Sequence, residues 1–271
     1  MAHPQIFNVN KYLSDEKINV QHICHEPEDI DLLSNVLKKK RENLIVDYSK
    51  EVSQESIKNF RELIMRRSNN EPVAYILKTK EFWSKDFIVD RNTLIPRPET
   101  ELLVDLALDH VFNSEVPRYL DLCCGSGALA LSIAHESKKA FVVGADLSLS
   151  ALKIAGSNAD RNFLSDKVFW VGSDLFESLN FSEFDVIVCN PPWGRQKEKA
   201  DRPFLELIIE NGTVSHLMHS AHATHIRPFF ESRNWSVEKY GEFDFDLPAK
   251  YSHHLKEKDS TKVGFWRLSP N

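Results

Sequence analysis

The chain has 271 residues, 42% hydrophobic and 27% charged, with 34 basic against 40 acidic side chains and a net charge of −6. Its apolar content suffices for one α/β domain and a smaller companion, and 17 Phe with 5 Trp exclude a disordered chain. The acidic balance excludes a nucleic-acid binder that is basic over its whole surface.

No apolar run approaches the ~20 residues that cross a bilayer. The start also lacks a basic region followed by an apolar stretch, so a cytoplasmic protein with no membrane segment is expected. From Glu28 to Arg41, the residues Ile30, Leu32, Leu33, Val36 and Leu37 recur at helical spacing behind an acidic start. Ser53 opens a second helix with the stripe Ile57, Phe60, Leu63 and Ile64, and Asn69-Asn70-Glu71-Pro72 ends it. Residues 1–70 are therefore predicted to be a small helical domain. Between Val36 and Lys80 there are eleven Lys or Arg against six Asp or Glu, including the run Lys38 to Arg41. That local excess suits either an acidic partner or a solvated helix face.

Residues 71–98 read as a β-hairpin and a Pro-rich linker loop, with strand material from Phe82 to Val89 and a turn at Ser84-Lys85-Asp86. Leu94-Ile-Pro-Arg-Pro-Glu-Thr100 cannot be helix interior, because two prolines fix φ and remove two donors. A helix from Glu99 to Phe112 is expected to follow. Strands are then predicted at Arg118–Leu122, Ala140–Ala145, Val168–Val171 and Phe184–Cys189, with helices over Ala128–His135 and Ser148–Asn162. This alternation predicts an α/β domain over residues 99–271, a parallel sheet with helices on both faces.

Four strand ends carry candidate chemistry. Asp121-Leu122-Cys123-Cys124-Gly125-Ser126-Gly127 joins a strand to a helix, and its glycines let backbone N–H groups approach a ligand. Asp146, nineteen residues after Gly127, ends the next strand and can accept both ribose hydroxyls of a nucleoside. The dinucleotide pattern G-x-G-x-x-G is absent, since Ala130 stands at its third glycine. Asp121 suits a ligand bearing an ammonium group, which points to S-adenosylmethionine (SAM). Asp174, after the third strand and before Leu175, can accept from an adenine amino group. Asn190-Pro191-Pro192-Trp193 follows the fourth strand. Its Asn amide oxygen and Pro191 carbonyl can take the two N–H bonds of a planar NH₂, with Trp193 stacked on that group.

Glu71-Pro-Val-Ala-Tyr-Ile, Glu81-Phe-Trp83, Leu94-Ile-Pro-Arg-Pro-Glu-Thr-Glu-Leu-Leu103, Asp121-Leu-x-x-Gly-Ser-Gly-Ala and Asn190-Pro-Pro together resemble the HemK/PrmC glutamine methyltransferases. The resemblance covers about residues 36–193. It implies a seven-stranded Rossmann-like class I methyltransferase domain behind a helical domain that docks a protein substrate. The substrate it implies is the Gly-Gly-Gln loop of peptide-chain release factors, methylated on the glutamine amide. It also implies that Asp121, Leu122, Cys123, Cys124, Gly125, Gly127, Asp146, Leu147, Asp174, Leu175 and Asn190 hold SAM. By the same likeness Asn190, Pro191, Pro192 and Trp193 hold the amide.

The chain departs from that family at Trp193, where the family has Tyr, and at Cys123-Cys124, where it has Gly-Thr. Its segment Phe243 to Lys258 is instead similar to the closing strands of archaeal and eukaryotic rRNA adenine N6-methyltransferases. Gly194, Asp201 and Phe204-Leu205 fit that second group. Three substrate classes therefore stand open: a protein glutamine, a small molecule bearing an amide, amine or guanidine, and an RNA adenine. Protein glutamine is the first expectation. Cys24, Cys123, Cys124 and Cys189 lack metal or disulfide spacing and are read as buried thiols. His216, His219, His222 and His225 recur every three residues, but a strand and a helix cannot put all four on one face. No Cys or carboxylate in the sequence visibly completes a ligand set with them, so no metal site is expected.

Overall fold

A computed structural model describes residues 20, 27–46, 49–110, 115–174, 183–193, 199–248 and 258–271. The expectations for Cys24, Phe112, Leu175 and Gly194 lie outside the described residues.

α1 (Pro27–Leu37) begins with a residue whose fixed φ suits a first turn, and Glu28 and Asp29 meet the positive end of the helix dipole. It stops at Lys38, whose φ of 52° is left-handed, and α2 (Arg41–Val46) starts afresh. One helix reaching Arg41 was expected; no glycine or proline announces this break. α3 (Gln54–Ser68) is capped by Ser53, whose Oγ accepts from the Ser56 N–H at 3.2 Å. α4 (Val73–Leu77) follows Pro72. Leu32, Leu33, Leu44, Ile57, Phe60, Ile64 and Ile76 form one buried cluster, and Arg67 ties α3 to Glu28 of α1 at 2.7 Å. This first compact unit extends to Lys78.

The second unit comprises Thr79–Pro248 and Lys258–Asn271. It opens with a hairpin, β1 (Thr79–Phe82) and β2 (Lys85–Ile88), turned by Trp83 and Ser84 at φ 52° and 54°. The turn therefore falls one residue earlier than expected. A two-residue hairpin needs left-handed backbone at both central positions to match strand twist, and these residue types do not advertise it. Pro98–Thr100 form a single 3₁₀ turn into α5 (Glu101–Leu108).

The sheet contains β3 (Arg118–Leu122), β4 (Phe141–Asp146), β5 (Val168–Gly172), β6 (Val186–Cys189), β7 (Val214–Ser220), β8 (Trp235–Pro248) and β9 (Lys258–Pro270). Its order is β5-β4-β3-β6-β7-β9-β8, with antiparallel pairing only at β7–β9 and β9–β8. α6 (Ala128–Glu136), α7 (Leu149–Arg161), α8 (Arg202–Asn211) and α9 (Ile226–Glu231) complete the unit. Strand residues alternate between two cores. Tyr119, Val142 and Val188 pack with α5 and α6, whereas Leu120, Val143 and Ile187 pack with α8 and α9. Burial on both faces is why the central strands read as continuous apolar runs. The expected seven-stranded Rossmann-like methyltransferase sheet is present.

One buried side chain braces this frame. Asn158 of α7 is 0% exposed; its Oδ1 accepts from Ile88 N–H, and its Nδ2 donates to the carbonyls of Ile88 and Ser126. It thereby fastens the hairpin to the loop after β3. Asn158→Ala leaves those backbone groups without partners and is expected to cost about 2–4 kcal/mol, at ~1–3 kcal/mol per buried orphan. Urea unfolding with an unchanged m-value measures it.

Candidate cofactor and transfer site

The loop after β3 is wound from left-handed residues: Cys123, Gly125 and Gly127 have φ of 68°, 54° and 77°. The amides of Cys123 and Cys124 both donate to the Ala145 carbonyl at 3.0 Å. Asp146, at the end of β4, accepts from Gly125 N–H through Oδ2 and from Ser148 N–H through Oδ1, each at 2.8 Å. The carboxylate thus clamps the glycine turn to the neighbouring strand end, leaving each oxygen further acceptor capacity. A Cβ placed on Gly125 would meet nothing within 4 Å, so this turn faces open space. A Cβ on Gly127 would instead stand 2.6 Å from the Trp170 ring.

Asp121 is 0% exposed. Its Oδ2 accepts from Ala130 N–H at 3.0 Å, and its Oδ1 has no hydrogen-bond partner among the described residues. Burial, more than any neighbouring charge, lifts this carboxyl to about 7. An orphaned carboxylate oxygen beside an open glycine cradle fits a ligand that brings an ammonium group and a nucleoside. Leu122 and Cys124 are buried, Leu122 within the core. Leu147 is 75% exposed and Asp174 is exposed, while Ser173 donates its N–H to the Asp146 carbonyl at 3.2 Å. Burial also pushes the thiols of Cys124 and Cys189 well up, keeping them protonated.

β6 pairs with β3 so that Cys189 stands opposite Leu122. Asn190 therefore leaves the sheet beside Cys123, and the glycine turn shares one edge with Asn190-Pro-Pro-Trp193. Pro191 is buried and Pro192 exposed. Trp193 packs on the core and donates its indole N–H to Asn190 Oδ1 at 3.2 Å. An indole N–H only donates, so it fixes which end of the amide faces the ring. One acceptor position of Oδ1 is thereby occupied, and the other remains for an incoming N–H.

His216 and His219 are both 2% exposed but lie on opposite faces of β7, His216 with Met218 and His219 with Leu217. His222 is exposed, and His225 is the N-cap of α9. The expectation that no carboxylate completes a set with them is corrected here. Asp201 lies 2.6 Å from His225 Nε2 and 3.1 Å from His219 Nε2. The intervening chain hid this grouping: Asp201 starts α8, and the two histidines follow eighteen and twenty-four residues later.

Burial pushes both His216 and His219 down to about 4 from the ordinary 6.5. The unfolded chain therefore binds more protons below pH ~6.5, and stability falls as the pH drops from there toward about 4. Each ring is expected to remove up to about 2–3 kcal/mol across that window. His216→Asn should flatten the pH dependence of the urea midpoint between pH ~6.5 and ~4, while stability at pH 8 changes less.

Comparison with known proteins agrees with this layout. The Methyltransferase small domain matches residues 99–219, and the PrmC N-terminal domain matches residues 30–77. The release factor glutamine methyltransferase of Aliivibrio fischeri is 37% identical over 234 residues, covering 83% of this chain and 80% of that protein. A bifunctional methyltransferase of Rickettsia typhi is 34% identical over 79% of this chain, which spans 43% of that longer protein. A candidate RNA methyltransferase from Pyrococcus horikoshii superposes with a TM-score of 0.54 at 23% identity, over 64% of this chain and 83% of that one. This last likeness bears on the fold alone. No helix among the described residues is long and apolar enough to cross a membrane. Identity at this level over four-fifths of a relative, with both domain matches in order, places the chain in the release factor glutamine methyltransferase family.

Proposed function

We propose that this SAM-dependent N-methyltransferase methylates the side-chain amide of a glutamine in a peptide-chain release factor. The observation that carries the reading is the strand register: Cys189 opposite Leu122 sets Asn190 beside the glycine turn. An amide-holding group and a cofactor cradle then share one sheet edge, in a chain whose family bears that substrate's name.

In this reading Asp121, Leu122, Cys123, Cys124, Gly125, Gly127, Asp146, Leu147, Asp174 and Leu175 hold SAM. Asp121 meets its ammonium group, Asp146 its ribose and Asp174 its adenine amine. SAM supplies an electrophilic methyl on sulfur. Asn190 Oδ1 and the Pro191 carbonyl accept the two N–H bonds of the substrate amide and aim its nitrogen, while Trp193 supports the planar group. Such positioning can contribute about 7–11 kcal/mol of the barrier reduction, with no covalent enzyme intermediate.

The helical unit before Lys78 is proposed to dock the protein substrate, with exposed Lys38, Lys40 and Arg41 on its surface. We further propose the division into a docking domain over residues 1–70, a hairpin and linker over 71–98 and a transfer domain over 99–271.

The test is transfer of labelled methyl to a release factor, total rRNA and a metabolite extract in parallel. Label should enter the release factor and vanish when its Gly-Gly-Gln glutamine is replaced. Label confined to rRNA or to the small-molecule fraction would overturn the reading.

A further inference from the structure

Asp201 occupies the N-cap of α8, where an Asp ordinarily accepts from the first amides of the helix, yet its side chain caps nothing. Pro203 in that first turn offers no N–H. The carboxylate, 5% exposed, turns instead to His225 Nε2 at 2.6 Å and His219 Nε2 at 3.1 Å. The contact to His219 is off the line of a straight hydrogen bond. The His219 ring lies 5.9 Å from the Trp193 ring at an interplanar angle of 30°, with Trp266 edge-on at 6.5 Å. Asp201, His219, Trp193 and Asn190 are thus joined by successive contacts.

Three ligand-type atoms within 4.8 Å of one another invite a divalent cation. The hydrogen bonding points elsewhere. His219 Nδ1 accepts from the Ser220 N–H at 2.8 Å, so the neutral ring carries its proton on Nε2, the nitrogen facing Asp201. That nitrogen has no lone pair to offer. A metal-bound histidine has the opposite polarity, its far nitrogen donating to a carboxylate or carbonyl. Two ligands about 2.0–2.1 Å from a tetrahedral zinc would also stand roughly 3.3 Å apart. The 2.6 Å between His225 and Asp201 is a hydrogen-bond length.

We infer that Asp201 is a positioning residue of the transfer site, its Oδ2 holding the Nε2 edge of the uncharged His219 ring as the support behind Trp193, with His225 on the same oxygen. The inference rests on reading Asn190 to Trp193 as the amide-holding motif. Burial outweighs the pull of Asp201 and keeps the ring neutral at ordinary pH. Trp193 in turn orients the Asn190 amide, so a loosened His219 misplaces the acceptor oxygen.

The test compares Asp201→Ala, Asp201→Asn and His219→Gln in the full chain. Long-range proton–nitrogen spectra of histidine-labelled protein, with His219 assigned by its loss in His219→Gln, should show Nε2 protonated and Nδ1 bare. Asp201→Ala leaves Nδ1 bare, because Ser220 N–H still donates to it, but should move the Nε2–H resonance and speed its exchange with solvent, whereas Asp201→Asn should keep the wild-type resonance. Methylation kcat should fall about tenfold in Asp201→Ala, with KM and SAM affinity within about threefold, and recover in Asp201→Asn. If Asp201→Ala does not fold, His219→Gln should lower kcat by the same factor.

A wild-type kcat and an unchanged His219 spectrum in Asp201→Ala would overturn the inference. So would zinc that moves the His219 resonances and raises wild-type kcat, which identifies a metal site. If neither release factor, rRNA nor metabolite accepts methyl, the functional reading fails, while the His219 spectrum still decides this inference.

Discussion

Asn190→Ala is expected to lower kcat by about 10²–10³-fold while SAM affinity stays within about tenfold. The side chain leaves β6 at the edge shared with the glycine turn, and its oxygen is already oriented by the Trp193 indole at 3.2 Å. Removing it deletes an acceptor for the substrate NH₂ and the partner of Trp193, but none of the Asp121 or Asp146 contacts that shape the cofactor turn. Loss in kcat with little change in cofactor binding is the signature of an interaction realised at transfer. Single-turnover methyl transfer and calorimetric titration with SAM measure the two quantities separately. Wild-type-like turnover would remove Asn190 from the mechanism.

Gly144→Ala is expected to lower both stability and cofactor affinity. Gly144 lies in β4, and a Cβ there would stand 2.4 Å from Cζ3 and 2.6 Å from Cε3 of Trp170 on β5. Those are ring atoms of a packed indole, and Gly127 borders the same ring, so the indole cannot retreat in that direction without meeting the cofactor turn. Overpacking of this kind costs about 1–3 kcal/mol. In a chain of this size that lowers Tm by about 2–4 °C per kcal/mol. The displaced indole should press on Gly127 and weaken SAM binding as well. Pairing Gly144→Ala with Trp170→Leu should recover part of both losses, a coupling that separate sites would not show.

The strand–helix alternation, the Ser53 cap and the four strand-end motifs were legible because each is a local pattern. A period of two or 3.6 residues, a capping hydroxyl or a glycine turn is set by neighbours within a few positions. The break at Lys38 and the Trp83–Ser84 turn were not, because both use left-handed backbone at residues whose types do not demand it. Nor was the orphaned oxygen of Asp121, which follows from how completely the sheet and α6 enclose it. Asn158 reads as an ordinary helical residue until the hairpin arrives seventy positions away to use its amide. Asp201 is the plainest case. By residue type it is a helix cap beside Arg202-Pro203, and by spacing the histidines after it belong to no common face. The parallel crossover from β6 through α8 to β7 brings the start of one helix to the end of the next strand, where a buried carboxylate settles on the nearest N–H donors. Residue order alone determined which groups this protein carries to its sheet edge. Which of them meet was decided by strand register and burial, because hydrogen bonding acts over about 3 Å of space and is blind to separation along the chain.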